Sequence, residues 1–226
     1  MLNRQPGIIT KYKWSLLVVV AGISLSCVIG FKTLQNNSAR INGAMQQVID
    51  AKVDKILTRV RLYQYGLRSA GGAVLTAGEH NISRALFQRY SLTRDVDIEF
   101  PGARGFGFIR RVPASETAGF LASAQADGWP NFSIRELAPN PAERFIIQYI
   151  EPVERNRAAV GLDIASERNR YQAAYAAMQT GEVRLTGPIT LVQATGQPQQ
   201  SFLILMPLYR GVKTPATLAE REQQAF

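Results

Sequence analysis

The chain of 226 residues contains one cysteine, Cys27, and one histidine, His80. A single cysteine permits no intrachain disulfide, so stability must come from packing. Zinc sites take about four ligands, mostly Cys and His, so no zinc centre is expected. Hydrolases of the triad type need a nucleophile in reach of a base. His80 falls in a turn between helical stretches, where it reads as an ordinary loop residue. Asp95, Asp97 and Glu99 are not set in a glycine-turned loop of the length that holds Ca²⁺ or Mg²⁺, and they read as a solvated face. Residues 102–107, Gly-Ala-Arg-Gly-Phe-Gly, have their glycines in the wrong order for a dinucleotide fingerprint, and no helix follows. Neither a metal nor a cofactor is therefore expected, and an exported enzyme is the weakest reading. Although the formal net charge is +9, the basic residues are scattered in ones and twos, as at Arg110 and Arg111 or Arg168 and Arg170. Without a basic run interleaved with aromatics, nucleic acid is not an expected partner.

What the chain does have is an apolar run near its start. Residues 14–31, WSLLVVVAGISLSCVIGF from Trp14 to Phe31, carry no charge. As a helix they cover about 27 Å, close to the ~30 Å hydrocarbon thickness of a bilayer. Arg4, Lys11 and Lys13 precede the run with no acidic residue among them, and the positive-inside bias then keeps residues 1–13 in the cytoplasm. Everything after Phe31 is expected outside, which makes the lipid bilayer a partner and gives a single-pass protein of the inner (cytoplasmic) membrane with a periplasmic or external domain. A cleaved signal peptide would have a shorter apolar core and small residues before its cleavage site. Phe31-Lys32-Thr33-Leu34 does not fit that pattern. With 46% hydrophobic and 19% charged residues, the exported part should bury a full core rather than remain disordered.

Residues 36–67 lack proline and read as one long helix. Met45, Ile49, Val53, Ile56, Val60, Tyr63 and Leu67 recur at steps of three and four. Such a seam can pair with a second copy, giving a homodimer, or dock on the chain's own domain. The glycines at 71 and 72 are expected to loosen this helix, and Gly78 to cap it, so that a stalk spans 32–77. Further helices are expected over 83–94 with Ser83 as N-cap, over 115–126, and from a Ser166 cap to about Gln179, stopped by Gly181. Strands are expected over 105–112, 132–137, 145–150, 183–192 and 201–209. Strands in a run with helices inserted, without strict alternation, indicate an α+β fold with antiparallel PAS-like sheets.

Between 145 and 193 polar groups gather beside apolar strands: Tyr149, Asn156, Asp163, Arg170, Thr186 and Gln193. A small-molecule pocket is mostly apolar with a few placed polar groups, and this region fits one. It also fits an ordinary strand edge, and Asp163 fits a turn or helix entrance just before Ser166.

Several of these segments resemble the CHASE domain, the extracytoplasmic sensor of histidine kinases and diguanylate cyclases. Phe100-Pro101-Gly102-Ala103-Arg104-Gly105-Phe106-Gly107-Phe108-Ile109-Arg110-Arg111-Val112 resembles the PG-x-x-G-x-G opening of its strand. Matches follow in order at Tyr149-Ile150-Glu151-Pro152 with Asn156, Gly161-Leu162-Asp163, Arg170, Thr180-Gly181, Leu185-Thr186-Gly187-Pro188 and Met206-Pro207-Leu208-Tyr209. The resemblance runs from about Phe87 to the last residue.

It implies a stalk followed by PAS-like subdomains over 78–226, with a small-molecule ligand held in the membrane-distal one. In plant cytokinin receptors of this family an Asp and a backbone group near a Leu bind the adenine of the ligand. By motif those positions fall on Asp163 and Leu185. The ligand candidates therefore include purine-type molecules, and the implied ligand-binding set is Asp163, Leu185, Thr186, Tyr149, Asn156 and Arg170. The family also implies a cytoplasmic output domain of kinase or cyclic-di-GMP type, which this chain does not contain, and an incomplete last sheet. The alternative reading is a dimerisation or scaffold module that binds no ligand.

Overall fold

The structure, a computed structural model, describes residues 8–192, 200–211 and 213–226. Arg4 and Gln193 lie outside the described residues. The chain divides into two compact units, Met1–Thr58 and Arg59–Phe226.

The first unit is helical. It holds most of α1 (Ile8–Ala77), a helix without proline or interruption. Residues 12–58 are all exposed. Among the described residues this is the one helix long and apolar enough to cross a membrane. Trp14 and Phe31 are 79% and 65% exposed.

In the second unit α1 continues through the expected weak point at 70–73 and ends at Ala77, ahead of Gly78. Close packing on Gly66 and Gly71 is why the helix does not break here. A Cβ at Gly66 would lie 2.5 Å from the Phe106 ring, and one at Gly71 2.7 Å from Met206 Cε. Each glycine thus sits on the face that meets the rest of the unit, where only a hydrogen fits. Ala70 and Val74 are buried on the same stretch of helix.

The main ladder pairs β1 (Phe106–Val112) antiparallel with β2 (Arg144–Glu151). Beyond β2 the pairing continues through single bridges, Ile146 with Asp163 and Arg135 with Leu162. The expected strand over 132–137 shrinks to that one bridge, because the Leu137 N–H is taken by the Ser166 hydroxyl at 2.9 Å instead of by backbone. The second sheet region is fragmented. β3 (Arg184–Leu185) pairs with β6 (Ile204–Leu205), and β4 (Ile189–Thr190) pairs with β5 (Gln200–Ser201). Pro188 has no N–H to donate, which separates β3 from β4; the Leu203 N–H goes to Thr186 Oγ1 at 3.0 Å, where β5 and β6 part, and Pro207 lies beyond β6.

Helices fill the connections. α2 (Arg84–Ser91) is capped by Ser83 as its sequence requires, and α4 (Thr117–Ala126) follows a single 3-10 turn. The short α3 (Val96–Glu99) and α5 (Val153–Asn156) lie between them and beyond β2. In α3, Asp95 is the N-cap, while Asp97 and Glu99 pair with Arg155 and Arg94. α6 (Arg168–Thr180) is capped by Glu167, not Ser166, because a 3-10 turn occupies Ile164–Ser166 and the Glu167 carboxylate reaches two N–H groups. Gly181 stops it at φ +74°. A last helix, α7 (Leu218–Gln224), opens on a capping box of Thr217 and Glu220.

The core has three neighbouring clusters. The first, around Phe145, Ile147, Ile164 and Met178, lies between β2 and α6. Val74, Phe87, Phe108, Tyr149 and Phe226 form the second. The third gathers Ala124, Phe132 and Ile146.

Candidate functional site

The larger of two adjoining cavities in the second unit has a volume of about 340 Å³. Tyr63 and Leu67 of α1 form one wall, residues 102–107 and Ile109 another, and Ile147, Ile150 and Asn156 a third. Leu191 and residues 200–205 close the remaining side. A smaller cavity of about 110 Å³ shares Leu67, Gly107, Ile109, Ile204 and Leu205 with it.

The glycine motif shapes the first rim. Gly102 turns the chain at φ +94°, and the preceding Pro101 carbonyl accepts hydrogen bonds from Tyr63 Oη at 2.7 Å and Arg59 Nη1 at 3.0 Å. The strand opening is thereby tied to α1. At Gly105 a Cβ would overlap the Glu151 carbonyl oxygen and crowd Asn156. Its glycine lets the motif lie directly against the end of β2.

Of the six residues singled out in the sequence, Asn156 lines this cavity. It is fully buried and donates from Nδ2 to the carbonyls of Arg104 and Pro152, both at 2.9 Å. The other five lie behind the walls or beside them. Thr186 exchanges two hydrogen bonds with Leu203, its N–H donating to the Leu203 carbonyl and its Oγ1 accepting from the Leu203 N–H, both 3.0 Å. Leu185 is half-exposed and pairs with Ile204 across the β3–β6 ladder. Arg170 is buried and donates to the Thr190 carbonyl at 2.7 Å, next to Leu191. Burial lowers its guanidinium pKa, and Glu167 works against that.

Tyr149 packs among Phe87 and Phe108, and its hydroxyl meets Asp127 Oδ2 at 2.5 Å and the Ile82 carbonyl at 3.1 Å. Burial, reinforced by Asp127, raises the phenol well above its ordinary value. Asp163 is fully buried and accepts at Oδ1 from the N–H groups of Phe145 and Ala165, at 2.9 and 3.0 Å. Its Oδ2 accepts from Asn140 Nδ2 at 2.9 Å and Arg144 Nη1 at 3.3 Å.

Sequence reasoning missed Tyr63, Leu67, Arg104 and Phe202 as wall residues. Tyr63 and Leu67 were legible only as part of a seam, and Arg104 only as filler between glycines. Glu151, buried at the end of β2, holds the N–H of Val153 at 2.9 Å, and burial raises its carboxyl pKa. Among the described residues no group of three His, Cys, Asp or Glu could hold a metal ion.

The search of curated proteins returned no match. The family profile of the CHASE domain matches residues 80–226, well over half of the chain. That match takes in the glycine motif, the end of β2, Asn156 and the broken strands that together wall most of the cavity. The chain belongs to the CHASE domain family, a sensor domain of receptors with no catalytic role of its own.

Proposed function

We propose that the chain is a membrane-anchored sensor module that binds a small molecule in the 340 Å³ cavity and passes the signal along α1. The observation that carries this reading is the wall composition: α1 contributes Tyr63 and Leu67 directly, opposite the family's glycine motif. A ligand seated there touches the same helix that contains residues 14–31. Signalling then requires only that the ligand bind one arrangement of the helix more tightly than another. The broken strands over 184–205, beside the β1–β2 ladder, make up the PAS-like floor of this reading. Asn156 meets the ligand. Thr186, Leu185 and Arg170 hold the backbone of Leu203, Ile204 and Thr190, while Asp163 and Tyr149 fix β2.

The exposed α1 seam supports a homodimer. Met45, Ile49, Val53 and Ile56 are 46–63% exposed, whereas the seam's Tyr63 and Leu67, within the second unit, line its cavity. The two uses of the seam weighed in the sequence thus belong to different stretches of it. The run at residues 14–31, exposed and uncharged, supports the anchor, with the second unit in the periplasm or outside.

Filling the cavity tests the ligand site. Leu203→Trp and Leu191→Trp each place an indole in it. A small-molecule library that includes adenine and other purines should give melting shifts with the wild-type full chain that both variants lose while keeping cooperative unfolding. Shifts that persist in both variants place the ligand elsewhere.

A further inference from the structure

The cavity walls are apolar save for a few groups, and the charges in them are unbalanced. Asn156 has its amide committed to the carbonyls of Arg104 and Pro152. Gln200 and Ser201 add neutral polar groups at the β5 side. Arg104 is the one charged residue in the wall among the described residues. It is exposed, and its guanidinium makes no ion pair and no hydrogen bond among the described residues, although its carbonyl accepts from Arg155 Nε at 2.7 Å and from Asn156. The Arg104 carbonyl is therefore held by two hydrogen bonds while its charged end is uncommitted. The other arginines near this rim are engaged: Arg59 with Pro101, and Arg155 with Asp97 at 2.7 Å.

Resting on the ligand-site reading above, we infer that the cavity takes a small organic acid, an apolar body bearing one carboxylate, with Arg104 as the group that pairs with the carboxylate. The volume sets the size of the body. An apolar cavity of about 150 Å³ holds benzene, so 340 Å³ suits a molecule of roughly a dozen heavy atoms. The apolar walls supply burial for the body, and a guanidinium presents its donors in a planar fork that matches a carboxylate. A neutral purine forms no ion pair with Arg104, only a hydrogen bond or stacking contact, and an organic cation is repelled by it.

The test uses an isosteric pair, 2-naphthoate and 2-naphthamide, which share shape and heavy-atom count and differ in charge. Both are titrated calorimetrically into the full chain in detergent, wild type and Arg104→Gln, with Leu203→Trp as the cavity-filled control. The inference expects naphthoate to bind at least about tenfold more tightly than naphthamide, in line with the worth of a hydrogen bond to a charged partner. It expects Arg104→Gln to remove that advantage without altering the amide, and Leu203→Trp to abolish both. Arg104 is exposed, so its replacement should leave the melting midpoint in place. If the amide binds as well as the acid and Leu203→Trp blocks both, the ligand site stands and the acid inference is overturned. An acid preference that survives Arg104→Gln also overturns it. If neither probe binds, or Leu203→Trp leaves both affinities intact, the cavity reading falls and the inference with it.

Discussion

Replacing the Asp163 carboxylate by a methyl group would strand four donors at once: the N–H groups of Phe145 and Ala165 and the side chains of Asn140 and Arg144. Asp163→Ala is expected to lower unfolding stability by about 2–4 kcal/mol, read as a shift in urea midpoint at constant slope. Binding of a cavity probe, measured where the variant is still folded, is expected to be retained. Loss of binding in a variant with an unmoved midpoint would instead make Asp163 a direct ligand contact. Gly105→Ala is expected to be costly for a different reason. Its methyl group would run into the Glu151 carbonyl, a backbone atom that cannot rotate away, and the end of β2 would have to shift. The sequence showed which residues are polar and where they fall. It could not show that Asp163 is encircled by the chain's own donors, because Asn140 and Phe145 reach it only once the segments at 135 and 161–163 have paired.

At the scale of elements, the helices were the most legible. Ser83 and Gly181 act as their side chain and conformation dictate, whereas α7, with its Thr217–Glu220 capping box, was not among the expected helices. The continuous α1 was legible except at 70–73, where glycine has two uses. It weakens an isolated helix, but on a buried face it permits approach, and packing of Gly71 against Met206 and Leu208 decided the outcome. Strands were harder to read, because apolar alternation does not reveal that a proline removes a ladder donor or that a serine hydroxyl replaces one. The seam on α1 yields a prediction at this scale. Ile56→Asp together with Val53→Asp is expected to convert a dimer to a monomer in analytical ultracentrifugation while leaving the unfolding midpoint of the second unit unchanged. A wild type that sediments as a monomer would remove the pairing role of the seam.

For the whole molecule, the charge set around Glu79 links the turn after α1 to β1 and to the segment following Tyr209. Glu79 pairs with Arg210 at 2.6 Å and Arg110 at 3.5 Å, and Arg110 also donates to the Glu79 carbonyl at 2.8 Å. Burial pushes the Glu79 carboxyl up, but the Arg210 hydrogen bond and the two positive charges outweigh it, so its pKa is lowered. A carboxyl with a lowered folded-state pKa adds stability above its unfolded pKa and loses it as pH falls through the folded one. Glu79→Gln is therefore expected to reduce stability by about 1–3 kcal/mol at neutral pH. The gap to wild type should close as acid protonates Glu79, which denaturant curves at neutral and acidic pH would reveal. A gap independent of pH would mean that packing, not charge, holds this corner.

Sensing through α1 requires that the cavity between α1 and the glycine motif be the place where a ligand meets the helix. Hydrogen exchange of the full chain with and without saturating 2-naphthoate reads this most directly. Slowed exchange is expected at residues 102–107, 147–156 and 200–205 together with 63–67 of α1. Protection confined to other segments, or absent from 63–67 at saturation, would contradict it.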